Sequence, residues 1–78
     1  MTDQVNDIQF RKMITKISKN IRKRRLELKM HQSQLASAAH TSQHYISDLE
    51  NRSASPTLKM LLSIANALQI PIKDLIDV

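Results

Sequence analysis

The sequence predicts a small all-α domain of five helices. Apolar residues recur at spacings of three, four and seven along most of the chain, and no segment alternates apolar and polar residues as a strand would. The 78 residues suit one domain with a modest core, and a hydrophobic content of 41% is sufficient for it. Because a monomer of this size is marginally stable, oligomerisation is an expected additional source of stability.

The first helix is predicted from a continuous apolar stripe, whereas its start is left open. The stripe consists of Phe10, Ile14, Ile17, Ile21 and Leu28. Asp7 could cap a long helix, or the first dozen residues could form a loose arm or a separate turn. We therefore divide the chain into an N-terminal extension of the first helix, residues 1–13, and a domain over residues 14–78.

Residues 32–51 predict two short helices joined by a sharp turn. Leu35, Ala36 and Ala39 share one face of helix two, and Ile46 and Leu49 share one face of helix three. The small side chain of Ala36 allows the two helices to approach each other closely. The second helix is expected to start weakly, because His31 stands where Ser, Thr, Asn or Asp usually caps.

The third helix is predicted to present a polar surface. Ser42 can accept an N–H bond at its start, and Asn51 and Arg52 would end it. The outward residues are Gln43, His44, Ser47 and Asp48. Such short hydrogen-bonding side chains near the start of a helix can reach base edges in the major groove of DNA. The alternative interpretation is an ordinary solvated face on a helix hairpin.

The fourth and fifth helices follow two prolines. Pro56 disfavours helix at Ser55, and Thr57 can cap helix four. The expected buried face of helix four comprises Leu58, Leu61, Leu62, Ala65 and Leu68. A short last helix is predicted to begin near Pro71.

Arg25 and Glu50 are predicted to meet. The apolar stripe of helix one has no apolar residue between Ile21 and Leu28, and Arg25 occupies that inward position. Glu50 lies four residues after Ile46, on the inward side of helix three. Either charge alone would be costly to bury, whereas a bidentate pair offsets much of that cost. The alternative is that both side chains reach solvent at helix ends. We expect a structural role for this pair.

The charge distribution favours a polyanionic partner. Nine of the twelve Lys and Arg residues lie between Arg11 and Lys29, the net charge is +5 and the pI is about 10.0. Anionic lipid is less favoured, because the chain has no Trp and only one Tyr and one Phe to anchor at a membrane interface.

Other classes of protein are not favoured. There is no Cys, no apolar run of about 20 residues and no leader segment, so we expect a cytoplasmic, nucleoid-associated protein. Of the three His residues, only His40 and His44 fall near metal-ligand spacing, and with His40 in a turn and no third ligand a metal site is not expected. Asp48 and Glu50 would point to different faces, so they do not form an acid-base couple. A phosphate-binding glycine loop is impossible without Gly. We expect no enzyme activity, no metal, no cofactor and no small-molecule ligand.

From Ile17 to Ile76 the chain resembles the lambda-repressor/Cro-like helix-turn-helix family, also called the Xre family. The matching motifs are Ile17, Ile21 and Arg25; Gln32, Leu35 and Ala36; Ser42, Ile46, Ser47, Leu49 and Glu50; and Pro56, Leu58, Leu61, Leu62, Ile64, Ala65, Ala67 and Leu68. The resemblance implies a compact DNA-binding domain with a buried Arg–Glu pair.

The resemblance also implies roles for individual residues. Gln32 would cap helix two and contact a phosphate, and Tyr45 would lie against the sugar-phosphate backbone. The base-facing positions would be Gln43, His44, Ser47 and Asp48. The full set of expected backbone contacts is Arg22, Gln32, Ser42, Tyr45, Asn51 and Arg52.

Two positions depart from the family pattern. The family usually has Gly where His40 stands in the turn and where Arg52 follows helix three. Both positions often need positive φ, at a cost on the order of 1 kcal/mol for another residue. Arg52 could offset its strain by reaching a phosphate, with Ser53 and Ser55 as further donors. A surface Arg without a role is the alternative.

Within the family, the string from Tyr45 to Glu50 and the small size are most similar to controller proteins of restriction-modification systems. This resemblance implies a transcriptional regulator, such as a repressor, that binds a palindromic operator in double-stranded DNA as a homodimer. The expected dimer interface comprises Ile70, Ile72, Leu75 and Ile76, with Phe10 and Met13 as additions. The alternative is that these residues only close the core of the monomer, as some of them must. The alternatives are an antitoxin of the same fold, which would bind a toxin and autoregulate its operon, and a protein-interaction adaptor.

Overall fold

The computed structural model describes residues 2–76, with side chains from residue 6 onward, and it is all-α over that range. The number and order of the helices agree with the sequence prediction. The five helices are α1 (Thr2–Glu27), α2 (Gln32–Ala38), α3 (Gln43–Glu50), α4 (Leu58–Ala67) and α5 (Ile72–Ile76).

Helix α1 sets the length of the molecule. It has 26 residues and therefore spans about 39 Å, and the molecule measures 41 × 23 × 20 Å. The helix begins at Thr2 and runs without a break through the predicted boundary at residues 13 and 14, so the described part of the extension is helical. Ile14, Ile17 and Ile21 are buried, whereas Phe10 is 50% exposed. The extension therefore projects beyond the core.

The core lies between α1 and the other four helices. Its fully enclosed side chains are Ile21, Leu35, Ile46, Leu49, Ile64, Leu68 and Leu75. Ser18 is the small polar residue at the crossing of α1 and α3, with its Oγ 2.7 Å from the carbonyl oxygen of Ile14 and 2.6 Å from that of Leu49. One hydroxyl hydrogen serves these two acceptors, and the small side chain lets the helices approach. None of the helices described is long and apolar enough to cross a bilayer.

The buried face of α4 differs from the prediction. Leu61, Ala65 and Leu68 are buried as expected, but Leu58 is 65% exposed and Leu62 is 46% exposed. Ile64 takes their place and is completely buried. The inward positions 61, 64, 65 and 68 follow helical periodicity, and Leu58 and Leu62 lie one turn apart on the flank of this buried face.

Four of the helices end in the same backbone motif without glycine. The residues with positive φ are Lys29, His40, Arg52 and Gln69, at 56° to 63°. In each case the next residue donates its N–H to the carbonyl five positions earlier, as Thr41 does to Ala36 at 2.9 Å. This is the Schellman arrangement, which satisfies carbonyls at a helix end. Positive φ at His40 and Arg52 was predicted, whereas that at Lys29 and Gln69 was not.

Polar contacts from α1 fix the C-terminal part of the chain. The Nε of Arg24 donates to the carbonyl oxygen of Leu68 at 2.9 Å, and the Nδ2 of Asn20 donates to that of Leu75 at the same distance. Leu75 is completely buried within the monomer. Its side chain therefore has no surface to offer a second copy, and the prediction that placed it in a dimer interface was wrong.

Candidate nucleic-acid interface

The turn between α2 and α3 brings the two helices into close contact. Ala36 and Ala39 are 3% and 1% exposed, and they pack in the cluster that also contains Ile46. Larger side chains at either alanine would force the helices apart. His40 reverses the chain with a φ of 59°, and Thr41 follows with the backbone bond to Ala36. The sharp turn predicted from the sequence is therefore present.

Ser42 defines the start of α3. It is the N-cap residue, and its hydroxyl oxygen accepts from the backbone N–H of Tyr45 at 3.1 Å. The first two residues of the helix, Gln43 and His44, are exposed. This end of α3 therefore presents two polar side chains and the positive end of the helix dipole to the outside.

The outer face of α3 contains two side-chain pairs. The Nε2 of His44 lies 3.3 Å from Oδ2 of Asp48, and the Nδ2 of Asn51 lies 3.5 Å from Oγ of Ser47. Both pairs are four residues apart and therefore lie on one face. Within the part of the chain that the structure describes, Gln43 makes no side-chain hydrogen bond. Its amide keeps both hydrogen-bonding functions available to a ligand.

An ion pair beneath this face holds α1 against α3. Arg25 donates from Nε to Oε2 of Glu50 at 2.7 Å and from Nη2 to Oε1 at 2.9 Å. The two side chains are 9% and 2% exposed. The hydrogen bond with Glu50 raises the pKa of Arg25, and this outweighs the lowering caused by burial. The pair was predicted, and its geometry is the bidentate fork that offsets desolvation best.

Two further contacts complete this network. The Nη1 of Arg25 donates to the carbonyl oxygen of Met30 at 2.7 Å, in the segment between α1 and α2. Gln32 donates from Nε2 to Oε1 of Glu50 at 3.3 Å. The amide of Gln32 is therefore engaged inside the protein, beside the end of α3. The start of α2 is fixed instead by Gln34, whose Oε1 accepts from the N–H of His31 at 2.7 Å.

Cations cluster at the other end of α3. Lys19, Arg22, Asn51 and Arg52 line one concavity between α1 and the segment after α3. Ser18 and Glu50 line it as well, and the carboxylate of Glu50 is engaged by Arg25. Among the described residues, no carboxylate forms a salt bridge with any of the three cations. The concavity is therefore suited to an anion. Arg22, Asn51 and Arg52 were all predicted as backbone contacts, whereas Lys19 was not selected, although it lies three residues before Arg22 on the helix.

Tyr45 lies on the flank of α3 and is partly buried against the core. Burial raises the pKa of its phenol above the ordinary value. The predicted site residues thus form two groups along α3, an eight-residue helix about 12 Å long. The base-facing candidates are at the start and middle of α3, and the cations lie at its end. No cluster of three or more His, Asp or Glu side chains suited to a metal ion occurs within the described residues.

Comparisons with known proteins agree with this geometry. The helix-turn-helix family profile matches residues 21–75. The solved structure of the restriction-modification controller protein C.AhdI from Aeromonas hydrophila is similar, with a TM-score of 0.77 at 24% identity over 80% of this chain and 94% of that one. A second solved structure is also similar, with a TM-score of 0.74 at 36% identity over 76% of this chain and 77% of that one. It is the structure of the wild-type restriction-modification controller protein C.Esp1396I.

No curated protein matches the chain in a sequence search. The family match nevertheless covers more than half of the chain and includes α2, the turn and α3. The controller-protein structures share the fold, and the similarity to C.Esp1396I extends to more than a third of the aligned residues. The chain therefore belongs to the Xre-like helix-turn-helix family of DNA-binding regulators and resembles its restriction-modification controller proteins.

Proposed function

We propose that the protein regulates transcription by binding a palindromic operator as a homodimer, in the manner of a restriction-modification controller. The observation that carries this proposal is the exposed start of α3, where Ser42 caps the helix and Gln43 and His44 point away from the core. A helix presented in this way can enter the major groove, where each base pair displays a distinct pattern of donors and acceptors.

In this proposal the outer face of α3 reads the bases. Gln43 can form a bidentate contact with adenine through its amide, and His44 can donate or accept at a base edge. Ser47 and Asp48 lie further along the same face, where Asp48 is also paired with His44. A base that accepts from His44 would compete with that pair, so both residues contribute to selectivity.

The phosphate contacts in this proposal come from the concavity at the end of α3. Arg22 and Arg52 would bind phosphates directly, with Asn51 as a further donor. Ser42 and Tyr45 would contact the backbone at the other end. The contribution of Gln32 would be to position Glu50 and α3, since its amide is already engaged in the protein.

A homodimer is proposed because one short helix covers only about half a turn of DNA, so that two copies about 34 Å apart are needed for useful specificity. Apolar side chains are available for such an interface. Ile70, Ile72 and Ile76 are partly exposed near the C-terminal end, and Leu58 and Leu62 are exposed on α4. Phe10 and Met13 on α1 are further candidates.

The test is a selection of bound duplexes from a random pool at a fixed ionic strength of about 0.15 M. We expect a palindromic consensus whose half-sites are one helical turn apart. Gln43→Ala should then relax preference at one base position by about 1 to 3 kcal/mol, whereas Arg22→Ala should weaken all duplexes alike. Enrichment of no sequence, or equal affinity of wild type and Gln43→Ala for every operator variant, would refute the base-reading role.

A further inference from the structure

Helix α1 carries a polar stripe that begins ten residues before the family match. The profile begins at residue 21, whereas α1 begins at Thr2. Beside the apolar stripe, the helix repeats Arg11, Thr15, Lys19 and Arg22 at spacings of four, four and three. These spacings place the four side chains on one face of the helix. No acidic residue interrupts the sequence between Asp7 and Glu27.

This stripe meets the segment after α3 in a second concavity. The concavity is lined by Phe10, Arg11, Ile14, Thr15, Arg52, Ser53, Ala54 and Ser55. Five of these eight side chains are cations or hydroxyls, which are the groups that bind phosphate oxygens. Arg52 also lines the concavity with Lys19 and Arg22, so the two concavities adjoin at one residue.

The positive charge along this surface is not neutralised within the protein. Over the residues that the structure describes, Arg11, Lys19, Arg22 and Arg52 have no carboxylate partner, although Arg24 and Arg25 on the same helix do. Arg11 and Lys19 are also exposed. Uncompensated cations along one line are what a nucleic-acid backbone binds, because each contact releases counterions.

The distances match a duplex. Arg11 and Arg22 are separated by 11 residues of helix, or about 16 Å. Successive phosphates of one strand advance by about 3.4 Å along the DNA axis, so this length corresponds to roughly five base pairs. A half-site contacted by α3 occupies about half a helical turn. The stripe is therefore long enough to extend the contacts beyond the base pairs that α3 reaches.

We propose that Arg11, Thr15 and Lys19 bind the phosphate backbone of DNA that flanks the operator half-site, continuing the contacts of Arg22 and Arg52. This inference rests on the proposed function, because it requires α3 to occupy the groove. These contacts then add affinity that is independent of flanking sequence and depends strongly on salt.

The experiment compares three duplexes: the selected operator alone, the same operator with ten base pairs of unrelated sequence on each side, and a scrambled duplex. Affinities of the full chain are measured by fluorescence anisotropy at several salt concentrations. The variants are Arg11→Ala, the charge-retaining Arg11→Lys, and the control Lys73→Ala, which removes one exposed cation from α5. Circular dichroism checks that each variant is folded.

On the flanked duplex, we expect Arg11→Ala to bind at least threefold more weakly than wild type, with a salt slope shallower by about 0.9 for each phosphate that the variant no longer neutralises. On the trimmed operator it should match wild type. Arg11→Lys should retain most of the affinity, and Lys73→Ala should behave as wild type on both duplexes.

Two results would overturn the inference, and they differ. If wild type prefers the operator but Arg11→Ala and Lys73→Ala behave alike on the flanked duplex, the flanking contacts are absent and the base-reading proposal stands. If wild type shows no preference between the operator and a scrambled duplex, the proposed function fails and the flanking contacts fail with it.

Discussion

The guanidinium of Arg25 holds both carboxylate oxygens of Glu50, at 2.7 and 2.9 Å, across the boundary between α1 and α3. Because Gln32 on α2 also donates to Glu50, one carboxylate connects all three helices around the candidate interface. The pair therefore sets the position of α3 relative to α1. In the proposed function it determines whether the bases and the phosphates can be contacted together.

Removing one partner of this pair should strongly destabilise the folded protein. We expect Glu50→Ala to lower the free energy of unfolding by about 3 to 5 kcal/mol, because Arg25 would remain buried without its counter-charge. The double variant Arg25→Met with Glu50→Leu should recover much of the loss. The control is Glu27→Ala, which breaks the half-exposed pair with Arg24 and should cost less than about 1 kcal/mol. Urea denaturation that shows equal losses for Glu50→Ala and Glu27→Ala would contradict this assignment.

A glycine at position 69 should stabilise the protein. Gln69 ends α4 with a φ of 60°, which strains any residue that has a Cβ. We expect Gln69→Gly to raise the free energy of unfolding by about 0.5 to 1 kcal/mol and the Tm by several degrees. Asn66→Gly, at an exposed position inside α4, should instead lose about 0.3 kcal/mol. Thermal melts in which both variants are destabilised would contradict the strain argument.

Two residues of α5 should separate core packing from dimerisation. Leu75 is completely buried, so Leu75→Ala should cost about 2 to 5 kcal/mol at every protein concentration. Ile72 is partly exposed, and Ile72→Lys should weaken the proposed dimer because an added cation would have to be desolvated there. Sedimentation velocity over a concentration series measures the second effect. Dimerisation of Ile72→Lys at wild-type concentrations would exclude Ile72 from the interface.

The ionisation of Tyr45 should make stability depend on pH in the alkaline range. Burial raises its pKa, so folding favours the neutral phenol. The contribution of Tyr45 to the free energy of unfolding is therefore fully present below the ordinary tyrosine pKa of about 10, and it is lost as the pH rises through the raised pKa. Tyr45 is the single tyrosine, so absorbance at 295 nm follows it directly. A midpoint in the folded protein at or below that in urea would refute the effect.

The sequence was sufficient to predict the structure where a residue pattern is compatible with only one arrangement. The five helices, the turn at His40 and the Ser42 cap were predicted because small, capping and periodic residues occur there at fixed spacings. The pairing of Arg25 with Glu50 followed from two charges that both lay on inward faces.

The sequence was insufficient where several apolar arrangements were equivalent. Helix α4 has apolar residues around much of its circumference, so helical spacing alone did not separate Leu58 and Leu62 from Ile64. The burial of Leu75 depended on how α5 packs against α1, which is a long-range contact. Backbone contacts such as that of Ser18 with Leu49 leave no pattern along the chain either, because they depend on how two helices cross.

The glycine-free helix ends have a consequence for the unfolded protein. With no glycine in 78 residues, every position carries a side chain that restricts φ and ψ before folding begins. The unfolded chain therefore has less conformational entropy than a chain with glycine at these four turns. This difference favours the folded state by about 0.4 to 1 kcal/mol for each position. The narrower unfolded state thus offsets part, but not all, of the strain at Lys29, His40, Arg52 and Gln69. Even a domain this small can consequently have side chains such as that of Arg52, in place of glycine, at the ends of its helices.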